Sequence, residues 1–211
     1  MTLTTIHLLR HGEVHNPTKV LYGRLPGFRL SERGLEQAEV AARFLAGRDI
    51  VAVIASPLER AQQTAGPIAA AYGLEIQTDP RIIESANQFE GGVVEPGPGI
   101  LRHPQHWSKL RNPFKPSWGE PYEKVAARVL AAVADAREAV RGHEAVLVSH
   151  QLPVFVTRRA AEGRPMWHRP DRRQCALASV TSLVYIDNDL AYVRYCEPNG
   201  PGVKAQGSVG A

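Results

Sequence analysis

Cysteine is nearly absent from this chain: two thiols, Cys175 and Cys196, stand in 211 residues with no metal-ligand spacing. That excludes a disulfide-stapled scaffold and a cysteine-held zinc site. It leaves two structural thiols, with one bridge between them still open. No apolar run approaches the length that crosses a bilayer, and Thr5 to Leu9 is too short for a secretory leader. A cytoplasmic location without a membrane partner is therefore expected. No glycine-rich loop ends in Lys-Ser or Lys-Thr, which argues against a nucleoside triphosphatase. Gly97-Pro98-Gly99 lacks both the preceding strand and the third glycine of a dinucleotide loop. The 25 Lys and Arg against 21 Asp and Glu give a formal charge of +4 without any basic stripe, which fits small anionic substrates better than nucleic acid. No internal repeat or composition shift divides the chain. With 44% hydrophobic residues, positions 1–197 read as one α/β domain able to bury a sizeable core.

What is present is a set of short apolar runs that stop abruptly on polar residues. Thr5 to Leu9 reads as a buried strand and leads into Arg10-His11-Gly12, where the glycine lets the backbone turn. Ile50 to Ile54 repeats the pattern and leads into Ser56-Pro57-Leu58-Glu59-Arg60. There Ser56 is predicted to cap a helix with Pro57 at its first position, which places Arg60 in the first turn. Ala145 to Val148 leads into Ser149-His150-Gln151. If these runs are neighbouring parallel strands, Arg10, His11, Arg60 and His150 emerge together at the strand ends where α/β sheets bind ligands. Two arginines and two histidines converging there call for an anion.

Four segments carry a family resemblance: LLRHGE at the start, LSERGLEQA at Leu30 to Ala38, SPLERAQQTA at Ser56 to Ala65, and VSH at Val148 to His150. In this order the chain resembles the histidine phosphatase superfamily, which includes the cofactor-dependent phosphoglycerate mutases. The resemblance implies a three-layer sandwich, with a mostly parallel central sheet covered by helices on both faces. It also implies a phosphomonoesterase acting on a small phosphorylated metabolite through a phosphohistidine, without metal or other cofactor. A phosphoglycerate-type mutase is the first alternative and a non-catalytic phospholigand-binding protein the second.

The residue types suit that chemistry. A phosphate ester repels nucleophiles, so catalysis needs positive donors, an in-line nucleophile and a proton for the leaving oxygen. Neutral His11 would attack phosphorus, while Arg10 and Arg60 fork the oxygens as a lysine point charge would not. By the resemblance, His150 donates a hydrogen bond to the phosphoryl group. Asn16 stands near a phosphate-contacting asparagine, one residue closer to His11 than in the family. The resemblance points to Glu84, third in Ile82-Ile83-Glu84, as the acid and then the base. Glu90, in a Phe89-Glu90-Gly91 segment where relatives carry a tryptophan before the Glu-Gly pair, is held in reserve. Glu13 reads as a loop-ordering residue.

Other readings are weaker. His11-Gly12-Glu13-Val14-His15 puts its glutamate one place too late for a zinc helix, and Arg10 would repel a dication. His103 and His106 lack cysteine partners and read as solvent-facing. Ser149 lacks the glycines of a nucleophile elbow. Substrate choice is assigned to the proline-rich segment 85–121, a lid or insertion carrying Arg102, Lys109, Arg111 and Lys115. A second wall would come from Tyr22, Arg24 and Phe28, and Gln151 replaces a glycine common in the family. Predicted helices run from a Ser31 cap to Leu45, with Leu35, Ala38, Ala42 and Leu45 on the apolar face. Others run from Ser56 to Ala71 with a stop at Gly73, from Pro121 toward Gly142, and after His150. Strands follow at Ser179 to Ile186 and Leu190 to Cys196. The tail 198–211 is expected to be disordered, and a homodimer is a possible assembly.

Overall fold

The apolar runs become the middle of one sheet. The computed structural model describes residues 1–92, 119–168 and 173–201. It orders β1 (Leu3–Arg10), α1 (Glu32–Leu45), β2 (Ile50–Ala55), α2 (Glu59–Tyr72), β3 (Ile76–Thr78), a 3-10 turn (Pro80–Ile82), α3 (Tyr122–Ala139), β4 (Glu144–Ser149), α4 (Gln151–Ala161), β5 (Val180–Ile186) and β6 (Asp189–Cys196). The strand order is β3-β2-β4-β1-β5-β6. The first four are parallel, and β5 and β6 extend the sheet antiparallel. β1, β2 and β4 read as continuous apolar runs because helices cover both faces. Leu9, Val53 and Val148 pack against Ala42, Leu45, Ala65 and Ile68 of α1 and α2. Ile6, Leu8 and Leu147 pack against Val125, Val129 and Val133 of α3 and Phe155 of α4. Each buried Val, Leu, Ile or Phe among them stabilises the fold by about 1.5–3 kcal/mol.

Local signals hold in most places. Ser31 Oγ accepts from Gly34 N and caps α1, and Gly73 closes α2 at φ 64°, a left-handed conformation that favours glycine. Two expectations are corrected. Leu35 is exposed, and the buried face of α1 is instead Gly34, Gln37, Ala38, Ala41, Ala42 and Leu45. The helix rotates to press its glycine, not a leucine, onto the turn after β1. Ser56 does not cap α2, which starts at Glu59 with no side-chain cap. Its hydroxyl is buried and spent on His150 instead. Most of the proline-rich segment (93–118) and nearly all of the tail (202–211) lie outside the described residues. So do His103, His106, Arg102, Lys109, Arg111 and Lys115. Both cysteines are free thiols, and among the described residues no helix is long and apolar enough to cross a membrane.

Candidate active site

β1 and β4 run parallel to a final pair of Arg10 with Ser149, and β2 flanks β4 with Ala55 beside Val148. The residues just past these ends are His11, His150 and Ser56, and Arg60 follows in the first turn of α2. All of them are buried. The two imidazole centroids lie 5.2 Å apart. Sequence order alone scatters these groups over the chain, and the parallel crossovers bring them to one sheet edge.

Hydrogen bonds fix the rings and guanidinium groups. His11 Nδ1 lies 2.7 Å from the Gly12 carbonyl oxygen; a carbonyl only accepts, so Nδ1 carries the proton and Nε2 keeps a lone pair. Gly12 N in turn donates to Thr64 Oγ1. His150 Nε2 lies 2.7 Å from Ser56 Oγ. Arg10 Nη1 donates to the Cys175 carbonyl at 2.7 Å. Arg60 Nη2 donates to the Gly23 carbonyl at 2.6 Å, and its guanidinium sits 4.7 Å over the ring of Tyr22, which stacks on Phe28. Among the described residues, His11 Nε2, His150 Nδ1, Arg60 Nε and Glu84 Oε2 are buried without a hydrogen-bond partner. Each such atom costs about 1–3 kcal/mol. His150 Nδ1 and Arg60 Nε offer hydrogens to an anion's oxygens, while His11 Nε2 offers a lone pair and Glu84 a carboxyl group beside them.

The electrostatics agree. Burial, then the charges of Arg60 and Arg10, hold His11 well below the ordinary imidazole range. Burial, Arg60, His11 and Arg10 do the same for His150. Both rings are neutral at physiological pH, so His11 is nucleophilic without a separate base. Burial pushes the Glu84 carboxyl up, against a hydrogen bond from Ser85 N and the charges of Arg60, Arg10 and Arg173. A raised carboxyl pKa suits a proton donor. Burial lifts the Cys175 thiol to about 11, which removes it as a nucleophile near neutral pH.

The remaining predicted residues fall into distinct places. Tyr22 forms a buried wall under Arg60. Asn16 spends its amide on Val20, donating from Nδ2 and accepting at Oδ1, and so ties its own turn. Arg24 faces the acid loop, donating to the Glu84 carbonyl at 2.7 Å. Gln151 opens α4 directly after His150. Glu90 accepts from Asn87 N, whereas Glu84 is the fully buried carboxyl. Glu13 orders the loop as expected, accepting from Ser31 Oγ and lying 3.7 Å from Arg33. Sequence reasoning passed over Ser56 as a partner of His150, and over Glu120, Arg128 and Arg173. The available signal for Arg128 was a charged residue set between Val125 and Val129 of a buried stripe.

The sequence pattern of the histidine phosphatase superfamily (branch 1) matches residues 6–198. The chain belongs to that superfamily. An uncharacterized protein of Mycobacterium tuberculosis is 60% identical over 195 residues, covering 92% of this chain and 96% of its own. A probable phosphoglycerate mutase of Yersinia pestis is 31% identical over 185 residues, covering 83% of each chain. Among solved structures, a mycobacterial glucosyl-3-phosphoglycerate phosphatase superposes with a TM-score of 0.72 at 26% identity, covering 92% of this chain and 96% of that one.

Proposed function

We propose that this histidine phosphatase family member hydrolyses the phosphomonoester of a small metabolite through a phosphohistidine on His11, with no metal ion. The observation that carries the reading is the unprotonated, unpartnered Nε2 of His11 held beside two buried arginines. Nε2 attacks phosphorus as the ester P–O bond breaks, and Glu84 passes its proton to the leaving oxygen. Glu84, now a carboxylate, takes a proton from water as that water attacks phosphorus. The P–N bond breaks, inorganic phosphate leaves, and His11 and Glu84 return to their starting states. Arg10 and Arg60 hold the equatorial oxygens and supply the positive charge a metal would otherwise bring. His150 donates from Nδ1, which is protonated when the Ser56 hydroxyl donates to Nε2. Tyr22, lying under Arg60, and Gln151, opening the helix that follows His150, bound the approach to the phosphoryl group.

Likeness to a glucosyl-3-phosphoglycerate phosphatase supports hydrolysis. The 31% identity to probable phosphoglycerate mutases supports a second reading, in which the phosphoryl group returns to a reoriented product. The test is phosphate release from a panel of phosphomonoesters with chelator present, alongside His11→Ala. Release by the native protein and none by the variant supports the hydrolase. Interconversion of phosphoglycerates without release assigns the mutase. Binding of phosphate esters without either reaction leaves a phospholigand-binding protein.

A further inference from the structure

Glu84 lies on the short stretch behind the 3-10 turn Pro80–Ile82, and no regular element holds that stretch by its own backbone bonds. Its carbonyl oxygen is instead held by two arginines from distant parts of the chain. Arg24, in the loop after β1, donates from Nε to the Glu84 carbonyl at 2.7 Å. Arg128, from α3, donates from Nη2 to the same carbonyl at 3.3 Å and from Nη1 to the Ile83 carbonyl at 2.7 Å, and also reaches the Arg81 carbonyl. The two guanidinium groups are joined through one carboxylate. Glu120 Oε2 accepts from Arg24 Nη2 at 2.9 Å and from Arg128 Nη2 at 3.1 Å, and Oε1 accepts from Arg128 Nε at 3.0 Å.

We propose that Glu120, with Arg24 and Arg128, forms a clamp that positions Glu84 for proton transfer. The inference rests on the reading of Glu84 as the leaving-group acid. It reassigns Arg24 from substrate contact to positioning residue. The geometry gives the clamp a specific task. Two forked donors converge on the backbone carbonyl of the acid, and the Glu120 carboxylate that bridges them cancels one of their two charges, so that Glu84 is not driven to ionise by its own supports. Arg128 is also close enough to depress the His150 imidazole, so the clamp stands at the rim of the reacting centre. A misplaced acid penalises only a leaving group that needs protonation. An activated aryl leaving group departs without it.

The experiment compares kcat/KM for p-nitrophenyl phosphate and for an alkyl ester, glycerol phosphate, in the native protein, Glu120→Gln, Glu84→Gln and the double variant. For Glu120→Gln a loss on the order of tenfold is expected on the alkyl ester, with less than about threefold on the aryl ester. The basic limb of the alkyl-ester pH profile should move to lower pH as the two arginines lose their counter-charge. In the Glu84→Gln background, Glu120→Gln should cost nothing further on the alkyl ester. Equal losses on both esters in Glu120→Gln, with selective loss in Glu84→Gln, overturn the clamp alone and leave Glu120 a structural ion pair. Absence of selectivity in Glu84→Gln overturns the assignment of the acid and the clamp with it. If Glu120→Gln does not fold, Arg24→Lys gives the same reading, because it keeps the charge and loses the fork that spans Glu84 and Glu120.

Discussion

Gly12 and Gly34 face each other across the turn that follows His11, so closely that a Cβ on Gly12 would lie 2.5 Å from the Gly34 carbonyl oxygen. A Cβ on Gly34 would in turn overlap the Glu13 carbonyl. Two glycines thus let the start of α1 press directly on the His11 turn. Ser31 N donates to the Glu13 carbonyl at 2.9 Å, and Glu13 N donates to Gln37 Oε1 at 2.8 Å, lacing helix and turn together. The turn that carries His11 is braced by α1.

Gly34→Ala should therefore damage both stability and activity. The methyl group has backbone, not a flexible side chain, in its way, so overpacking should cost about 1–3 kcal/mol. Because the displaced atoms lie next to Gly12, whose carbonyl sets the His11 tautomer, kcat should fall more than KM changes. Urea unfolding and steady-state kinetics on the variant check this. Native stability together with native turnover would show that the helix and the turn are not coupled.

Ser56 offers a sharper test of the second histidine. Its Oγ lies 2.7 Å from His150 Nε2 and 3.4 Å from Leu58 N. Accepting from Leu58 N leaves the hydroxyl proton for Nε2, so that Nδ1 of His150 bears the hydrogen offered to an anion. Ser56→Ala removes this choice of tautomer while changing little in the core, since α2 begins at Glu59 without a side-chain cap. The expected result is a loss on the order of tenfold in kcat/KM, with the melting temperature nearly unchanged. A helix-capping role would give the reverse: a lowered melting temperature and intact kinetics.

That contrast also shows where the sequence is legible. The central strands were readable because burial on both faces makes them continuous apolar runs, and the polar residues that end them stand out against that background. That logic puts His11, Arg60 and His150 at neighbouring strand ends, where the structure has them, while Glu84 is named by the family resemblance alone. Ser56 was misread because serine before proline fits a local capping rule, whereas its partner is brought in by the pairing of β2 with β4. Leu35 was misplaced because helical periodicity says which residues share a face but not that a glycine pair pulls the helix round. Glu120, Arg24 and Arg128 meet only after α3 folds over the 3-10 turn, and no local pattern records such a junction.

The charge state of His11 yields a pH prediction. Burial, Arg60 and Arg10 hold the His11 imidazole well below 6.5, so it should remain neutral through physiological pH and lose its lone pair only on strong acidification. Arg60 is the largest charge contributor, so Arg60→Gln should let His11 titrate at a higher pH than in the native protein. Imidazole NMR of the two proteins as a function of pH reads the shift directly, apart from the loss of phosphate binding that the variant also brings. An unchanged titration would mean that Arg60 stands too far from His11 to bind the same phosphoryl group.

His7 couples acid to stability rather than to catalysis. His7 is buried in β1, with Nε2 2.7 Å from Glu144 Oε2 and Nδ1 2.8 Å from Ser182 Oγ. Arg48 Nε lies 2.6 Å from the same Glu144 oxygen. Burial opposes ionisation of Glu144, but hydrogen bonds and charge from His7 and Arg48 prevail and hold its carboxyl at about 2, against 4.5 ordinarily. The carboxylate is therefore favoured in the folded state, with its full stabilisation present above pH 4.5 and lost as pH falls toward 2. That stabilisation amounts to about 2 kcal/mol with solvent screening. His7 is depressed chiefly by burial, so below 6.5 the unfolded chain takes up its proton first, and stability also falls with pH there. The two effects have the same sign and act in successive windows. Urea midpoints measured from pH 7.5 down to pH 3 should decline throughout. In Glu144→Gln the stability at pH 7 should be lower, and the part of the slope below pH 4.5 should flatten. A variant that kept the native slope in that window would assign acid sensitivity to other carboxylates and leave the His7–Glu144–Arg48 cluster as packing alone.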